Sequence, residues 1–148
     1  MQIKAKMLQN PSDDDMRNVL QESRTIAVVG HSNKPTRASY QIAKFLRSVG
    51  YIVVPVNPMI SSIEGTACYS KLEDIPLSID IVNVFRRSQY LLDIVDEAIA
   101  LEIPTVWAQI GVSDVHAQQK AMESSLNVIM DRCIKVEYIR LRMSNFRE

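Results

Sequence analysis

Cysteine is scarce: Cys68 and Cys133 are the only two in 148 residues, and they stand far apart. They form neither a C-x-x-C pair nor a zinc-ligand spacing. Free thiols in a reducing compartment are therefore expected, not a disulfide framework. Histidine is as sparse, with His31 and His116 alone, too few for most histidine-based metal sites. Charge of neither sign is in excess: 17 Lys plus Arg balance 17 Asp plus Glu, with no basic or acidic tail. That removes the electrostatic case for DNA or for an anionic membrane surface. Aromatic residues make up 6% of the chain, and the tyrosines show no stacking pattern suited to single-stranded nucleic acid. No apolar run reaches the roughly 18 residues that a membrane span needs. Residues 1–10 hold lysines but no apolar signal-peptide core. These absences lead to the expectation of a cytoplasmic protein that touches neither membrane nor nucleic acid.

What is present has ordinary globular composition, 47% hydrophobic and 23% charged. The length corresponds to one domain. A chain of this size hides roughly 70% of its unfolded surface and needs no metal or disulfide staple. We expect an N-terminal segment with a helix over 1–23 and a single domain over 24–148. Ser12 or Asp13 suits the helix cap, and Asp13, Asp14 and Asp15 suit the first turn, where the helix dipole favours carboxylates.

From Thr25 onward two patterns alternate. Thr25-Ile26-Ala27-Val28-Val29 is a short β-branched run closed by Gly30, and it reads as a buried strand. A polar loop over 31–37 follows. Ile42, Phe45, Leu46 and Val49 then recur at helical spacing before Gly50. Residues 51–56 form a second apolar run, in which Pro55 removes one ladder donor and calls for an irregularity or a free edge. Further strands are expected over 80–85, 105–109 and 126–130. The helices between them start near Ser88, at Ser113 or Asp114, and at Asp131. The stretch 60–76 is the least regular, with one helical turn expected over 70–74. Five strands alternating with helices specify a parallel sheet covered on both faces. The expected fold is α/β: a Rossmann-like, doubly wound, five-stranded sheet with strand order 3-2-1-4-5.

In such sheets, ligands lie beyond the carboxyl ends of the strands. The five strand ends carry Gly30-His31-Ser32-Asn33-Lys34, Asn57-Pro58, Phe85-Arg86-Arg87, Gln109-Ile110-Gly111 and Asp131-Arg132-Cys133. Four bases against one acid make this rim basic in a neutral chain, which suits an anionic small molecule. Gly30 permits close backbone approach, and the following helix start is a phosphate site or a plain turn; Lys34 and Arg37 can add charge. The G-x-G-x-x-G dinucleotide fingerprint is absent. Asn57-Pro58 stands where an NAD site usually carries an acid for the ribose hydroxyl. Adjacent Arg86 and Arg87 diverge, so one of the two faces the site, and guanidinium suits phosphate. Cys133, at a helix start beside Arg132, is either a reactive thiol or a small buried hydrophobe. Trp107 is expected in the core and His116 on an exposed helix.

A set of these residues occurs in one order: Ile26-Ala27-Val28-Val29-Gly30, Lys34-Pro35, Ser39-Tyr40, Val54-Pro55-Val56-Asn57-Pro58, Phe85-Arg86-Arg87, Trp107-Ala108-Gln109, Gly111 and Met130-Asp131-Arg132-Cys133-Ile134-Lys135. It resembles the stand-alone CoA-binding proteins, similar to the CoA-binding domain of the succinyl-CoA synthetase alpha subunit. The resemblance covers roughly residues 24–140 and implies binding of coenzyme A, or a short acyl-CoA, without catalysis. It places Gly30, His31, Ser32, Asn33, Lys34 and Ser39 at the pyrophosphate. Asn57 and Pro58 then border the adenosine, while Val84, Phe85, Arg86, Gln109 and Gly111 line the remainder. One departure stands out: the family often has Lys or another polar residue after Asn-Pro, able to meet the 3′-phosphate, and this chain has Met59. Ser61, Arg37 or Arg86 substitutes for it, or that phosphate is weakly read. Two alternatives to CoA remain: NAD(P) binding, and a thiol-based redox sensor or enzyme using Cys133.

Overall fold

The five apolar runs become neighbouring strands of one sheet in the computed structural model, which describes residues 9–144. Residues 1–8 of the expected N-terminal segment, and the signal-peptide argument that rests on them, lie outside the described residues. The elements run α1 (Asp13–Glu22), β1 (Thr25–Val29), α2 (Ala38–Ser48), β2 (Ile52–Val56), β3 (Ser62–Ile63), β4 (Thr66–Ala67), β5 (Ile81–Val84), α3 (Leu91–Ala100), β6 (Thr105–Ala108), α4 (Val115–Glu123), β7 (Asn127–Ile129) and α5 (Ile134–Arg140). Short 3-10 turns at Leu72–Asp74 and Ser88–Tyr90 complete the chain. β3 and β4 form a small antiparallel hairpin inside the irregular stretch, turning at Glu64 and Gly65 with positive φ.

All ladders of the main sheet are parallel, and the order is β2-β1-β5-β6-β7. Counting only these five strands, the order is 2-1-3-4-5, which corrects the expected 3-2-1-4-5. The physical reason lies in Pro55. Its carbonyl accepts a bond from Tyr69 N at 3.0 Å on the outer side of β2, so its nitrogen, which lacks a hydrogen, faces that same side. A full strand there would miss a donor, whereas an edge strand tolerates the gap. The third strand therefore joins the other side of β1. A single bridge, Val56 to Tyr69, covers the β2 edge instead.

Alternation along the strands divides the core into two layers. Ala27, Val29, Val82, Val84 and Val106 face α3 and α4, while Ile26, Val28, Ile81, Trp107 and Ile129 face α1, α2 and α5. Trp107 is wholly buried, and its indole N–H donates to Arg132 O at 3.1 Å. Truncating such a side chain costs about 3–5 kcal/mol. The Asp80 carboxylate accepts from Arg24 N and Thr25 N, tying the start of β5 to the start of β1. α1 packs Met16 and Leu20 into the second layer, and Asp13 pairs with Arg140 at 2.8 Å.

Capping follows the sequence in two helices and departs from it in two. Ser12 accepts from Asp15 N, and Asp114 accepts from Ala117 N. Ser88 does not cap α3; its hydroxyl joins two loops, donating to Gly111 O and accepting from Ser113 N. Asp131 does not cap α5, whose N-cap is Cys133. The Asp131 carboxylate instead accepts from Gly111 N at 2.7 Å, and its own φ is +57°.

Candidate functional site

Carrying the ladder registers past the strands sets Asn57, Gly30, Phe85, Gln109 and Asp131 in one row along the carboxyl edge. Neighbours in such a row stand about 4.8 Å apart. Backbone bonds hold the row: Gly30 N to Val56 O, Phe85 N to Val29 O and Gln109 N to Val84 O. A cleft of about 440 Å³ opens over the β2, β1 and β5 end of it. Its floor is apolar, with Val29, Val56, Leu72, Phe85 and Ile94. Polar groups converge from the rim: Gly30, Asn57, Lys71, Arg86 and Glu97.

Gly30 is there for two reasons. Its φ is +87°, a conformation that L side chains rarely adopt. A Cβ on it would also lie 2.6 Å from Phe85 O, with Arg86 Cδ at 3.3 Å. The bare backbone thus forms part of the cleft wall. The loop after it is wound by its own short side chains. Ser39 Oγ accepts from Ser32 N at 2.9 Å, Ser32 Oγ accepts from Lys34 N at 3.0 Å, and Arg37 N donates to Lys34 O. This turn delivers the chain into α2, whose N-cap Arg37 makes no side-chain cap bond and whose first turn holds no acid. The free N–H groups of a first turn and the dipole behind them favour an anion. Asn33, Lys34 and Arg37 are exposed around that opening.

His31 is the exception within the loop. Its side chain is fully buried, edge-on to Tyr40, with Nδ1 2.8 Å from Ser32 O. The carbonyl fixes the proton on Nδ1, so Nε2 is an acceptor, and it is buried without a partner. Burial pushes the imidazole pKa below its ordinary value, and the Arg47 charge pushes the same way against the Ser32 bond. His31 shapes the loop through its backbone: its carbonyl accepts from Asn57 Nδ2 at 3.0 Å. Asn57 Oδ1 in turn accepts from Met59 N, so one amide side chain joins the first two strand ends.

The two arginines separate as adjacency requires. Arg86 is half-buried and lines the cleft, its guanidinium 4.2 Å from the centre of the Tyr90 ring. Arg87 is exposed and starts the 3-10 turn. Val84 is fully buried within the sheet. Gln109 and Gly111 lie beyond the cleft on the β6 end, and Gln109 Oε1 is buried without a partner. Cys133 is also beyond it, buried in the second core layer beside Trp107 and Ile134. Met59 stands at the rim and is 87% exposed, and it brings no charge.

Sequence reasoning missed Ser70, Lys71 and Glu97 as cleft residues. Lys71 arrives because the Val56–Tyr69 bridge runs the following residues alongside Pro58 and Met59. Glu97 arrives because it shares a helix face with Ile94, three residues earlier, which packs on the sheet. No sequence signal around Glu97 points to a ligand. Burial raises the Glu97 carboxyl above the ordinary range, and nearby Asp93 and Glu73 add to this against Lys71. Among the described residues, no group of three or more metal-ligating side chains forms and no helix is long and apolar enough to cross a membrane.

Gly30 and Arg86 line the cleft, and the uncapped start of α2 follows the loop over 31–37; bare backbone, guanidinium and first-turn N–H groups are each able to meet a phosphate. The chain is 43% identical over 131 residues to YneT of Bacillus subtilis, covering 88% of this chain and 97% of that one. It is similar to a hypothetical protein from Pyrococcus horikoshii OT3, with TM-score 0.85 and 35% identity over 89% of this chain and 93% of the other. It also matches part of the acetyl-coenzyme A synthetase 1 of Ca. Korarchaeum cryptofilum, with TM-score 0.63 and 26% identity. That match takes in 79% of this chain and 27% of the larger protein. Residues 24–139, which include every strand of the main sheet and the whole carboxyl edge, match the CoA binding domain, and the chain belongs to that family.

Proposed function

We propose that this protein binds coenzyme A, free or as a short acyl thioester, at the carboxyl edge of its sheet, and that it catalyses no reaction by itself. Gly30 carries the reading. Its backbone forms the wall of the cleft at the point where a Cβ would collide with Phe85 O, and the loop over 31–37 that follows it ends at the uncapped start of α2. Diphosphate groups approach bare backbone and first-turn N–H groups in this way. Arg86 adds a guanidinium from β5, pre-oriented by Tyr90. The row then continues to Gln109, whose buried, unpartnered Oε1 suits an amide N–H such as those of the pantetheine arm.

The non-catalytic part of the proposal rests on what surrounds the cleft. Its titratable lining is Lys71, Arg86 and Glu97, without a nucleophile placed beside a base. Cys133 lies in the opposite core layer. A cytoplasmic location goes with this reading, because CoA and free thiols occur together there.

Calorimetric titration of ligand-stripped full-length protein tests it, with CoA, acetyl-CoA, NAD and NADP as separate arms. Saturable binding of CoA is expected, with a stabilisation of about 2.7 kcal/mol at a hundredfold excess over the dissociation constant. No binding of CoA or acetyl-CoA at millimolar concentration would refute the proposal. Selective binding of NAD or NADP would replace it.

A further inference from the structure

A buried imidazole stands behind the cleft wall. Gly30 and Asn57 line the cleft, and His31 is joined to both. It follows Gly30 in the chain, and its carbonyl accepts from Asn57 Nδ2 at 3.0 Å. Its ring fixes that backbone from within: Nδ1 donates to Ser32 O at 2.8 Å, and Tyr40 meets the ring edge-on. The ring is 0% exposed, and Nε2 has no partner. A neutral ring tolerates an empty acceptor. A second proton, on Nε2, would put a cation and an unpaired N–H where neither water nor an acceptor reaches them. The groups that face the ring offer little rescue. Tyr40 of α2 is neutral, and Arg47 of α2, whose own Nη2 is buried without a partner, repels the new charge. Glu64 of the β3–β4 turn attracts it, but from an exposed position. Protonated His31 is therefore driven from its pocket. Leaving it breaks the Ser32 bond and moves the carbonyl that holds Asn57.

We propose that His31 is a positioning residue for the cleft: its neutral, buried ring holds Gly30 and Asn57 in the wall, so that protonating the ring and filling the cleft oppose each other. The inference rests on the CoA-class reading above and deepens it by naming a regulator of the same site, the proton. It requires no contact between His31 and the ligand. The coupling is reciprocal: a ligand that needs the neutral ring weakens proton binding by the factor by which the proton weakens the ligand. The sign follows from burial, which favours the neutral form, so acid lowers affinity.

The chain has two histidines, and His116 is exposed on α4, so it serves as an internal reference. NMR of histidine-labelled full-length protein follows both imidazoles through pH, with and without saturating CoA. CoA is expected to lower the His31 midpoint by about half a pH unit or more and to leave His116 within about 0.2. Calorimetric titration with CoA at pH 7.5 and 5.0, on wild type and His31→Gln, supplies the reciprocal measurement. Gln keeps a donor for Ser32 O and cannot take the proton, and comparing the two proteins cancels the ligand's own phosphate titration. Wild type should lose affinity between the two pH values about threefold to thirtyfold more than the variant, thirtyfold being the ceiling for an imidazole that titrates near 6.5 in the free protein. A His31 midpoint that CoA leaves unmoved would overturn the proposal, and so would equal pH dependence in the two proteins. The NMR measurement needs no variant and decides alone if His31→Gln fails to fold. No binding of CoA by wild type at pH 7.5 would instead overturn the CoA-class reading, and this inference with it.

Discussion

Replacing Gly30 with alanine is the sharpest test of how the cleft wall is built. Two costs add. An L residue at φ +87° is held in a left-handed conformation, which costs about 1–2 kcal/mol. The new Cβ also lies 2.6 Å from Phe85 O and 3.1 Å from Phe85 C, where ordinary contact begins at 3.4 Å. The opposing atoms are backbone, pinned by the Phe85 N to Val29 O bond, so they cannot swing aside as a side-chain tip could. Relieving the overlap strains β1 or β5 and costs a further 1–3 kcal/mol or so. The sum, about 2–5 kcal/mol, is a large share of the roughly 5–15 kcal/mol that holds a domain folded. Gly65→Ala is the matched control, with φ +83° and nothing within 4 Å of the added carbon. It carries the conformational cost alone. Urea unfolding of the three proteins reads the difference, and CoA titration of the folded variants reads the cleft. Gly30→Ala should be less stable than Gly65→Ala by about 1–3 kcal/mol and should bind CoA more weakly. Equal stability of the two variants would show that the wall is not tightly closed and that the backbone cradle argument is wrong.

Other predictions concern single groups. Arg86→Ala should weaken CoA binding about tenfold to a hundredfold, the loss of one charge-assisted bond, whereas Arg87→Ala should stay within about twofold. Equal effects would mean that burial and the Tyr90 contact do not decide which arginine meets the ligand. His31 has a depressed pKa in the fold, so the unfolded chain binds the extra proton. Its contribution to stability is complete above the unfolded value of 6.5 and is lost as the pH falls below that toward the folded value. Urea midpoints at pH 5.0 and 7.5 should therefore differ more in wild type than in His31→Gln, and an imidazole that titrates above 6.5 by NMR would contradict this. Cys133 is 6% exposed, so native protein should label with iodoacetamide at Cys133 far more slowly than unfolded protein. Rapid native labelling, with a midpoint well below that of free cysteine, would revive a redox role.

The local elements were legible because their signals are local. The run Thr25 to Val29 reads as a strand from β-branched residues and the Gly30 stop, and Ser12 and Asp114 cap because a short acceptor precedes each helical stripe. Pro55 even marked the free edge that fixes the strand order. The expected order nevertheless placed the second strand in the interior, against that mark. A helix start is equally local, but Ser88 and Asp131 found better partners in neighbouring loops, and no window of sequence contains both partners.

The sequence by itself determined the α/β alternation, the neutral balance of charge and the list of strand ends that meet at the carboxyl edge. Each of these depends on periodicity or on residue type within a few positions. Only the tertiary structure decided which side chains share a volume. It turned Arg86 inward and Arg87 outward, buried His31 and Cys133, and brought Lys71 and Glu97 into the cleft from a bridging strand segment and from α3. Those placements depend on strand order and on how helices lie across the sheet, which arise from long-range packing and leave no spacing in the chain to read.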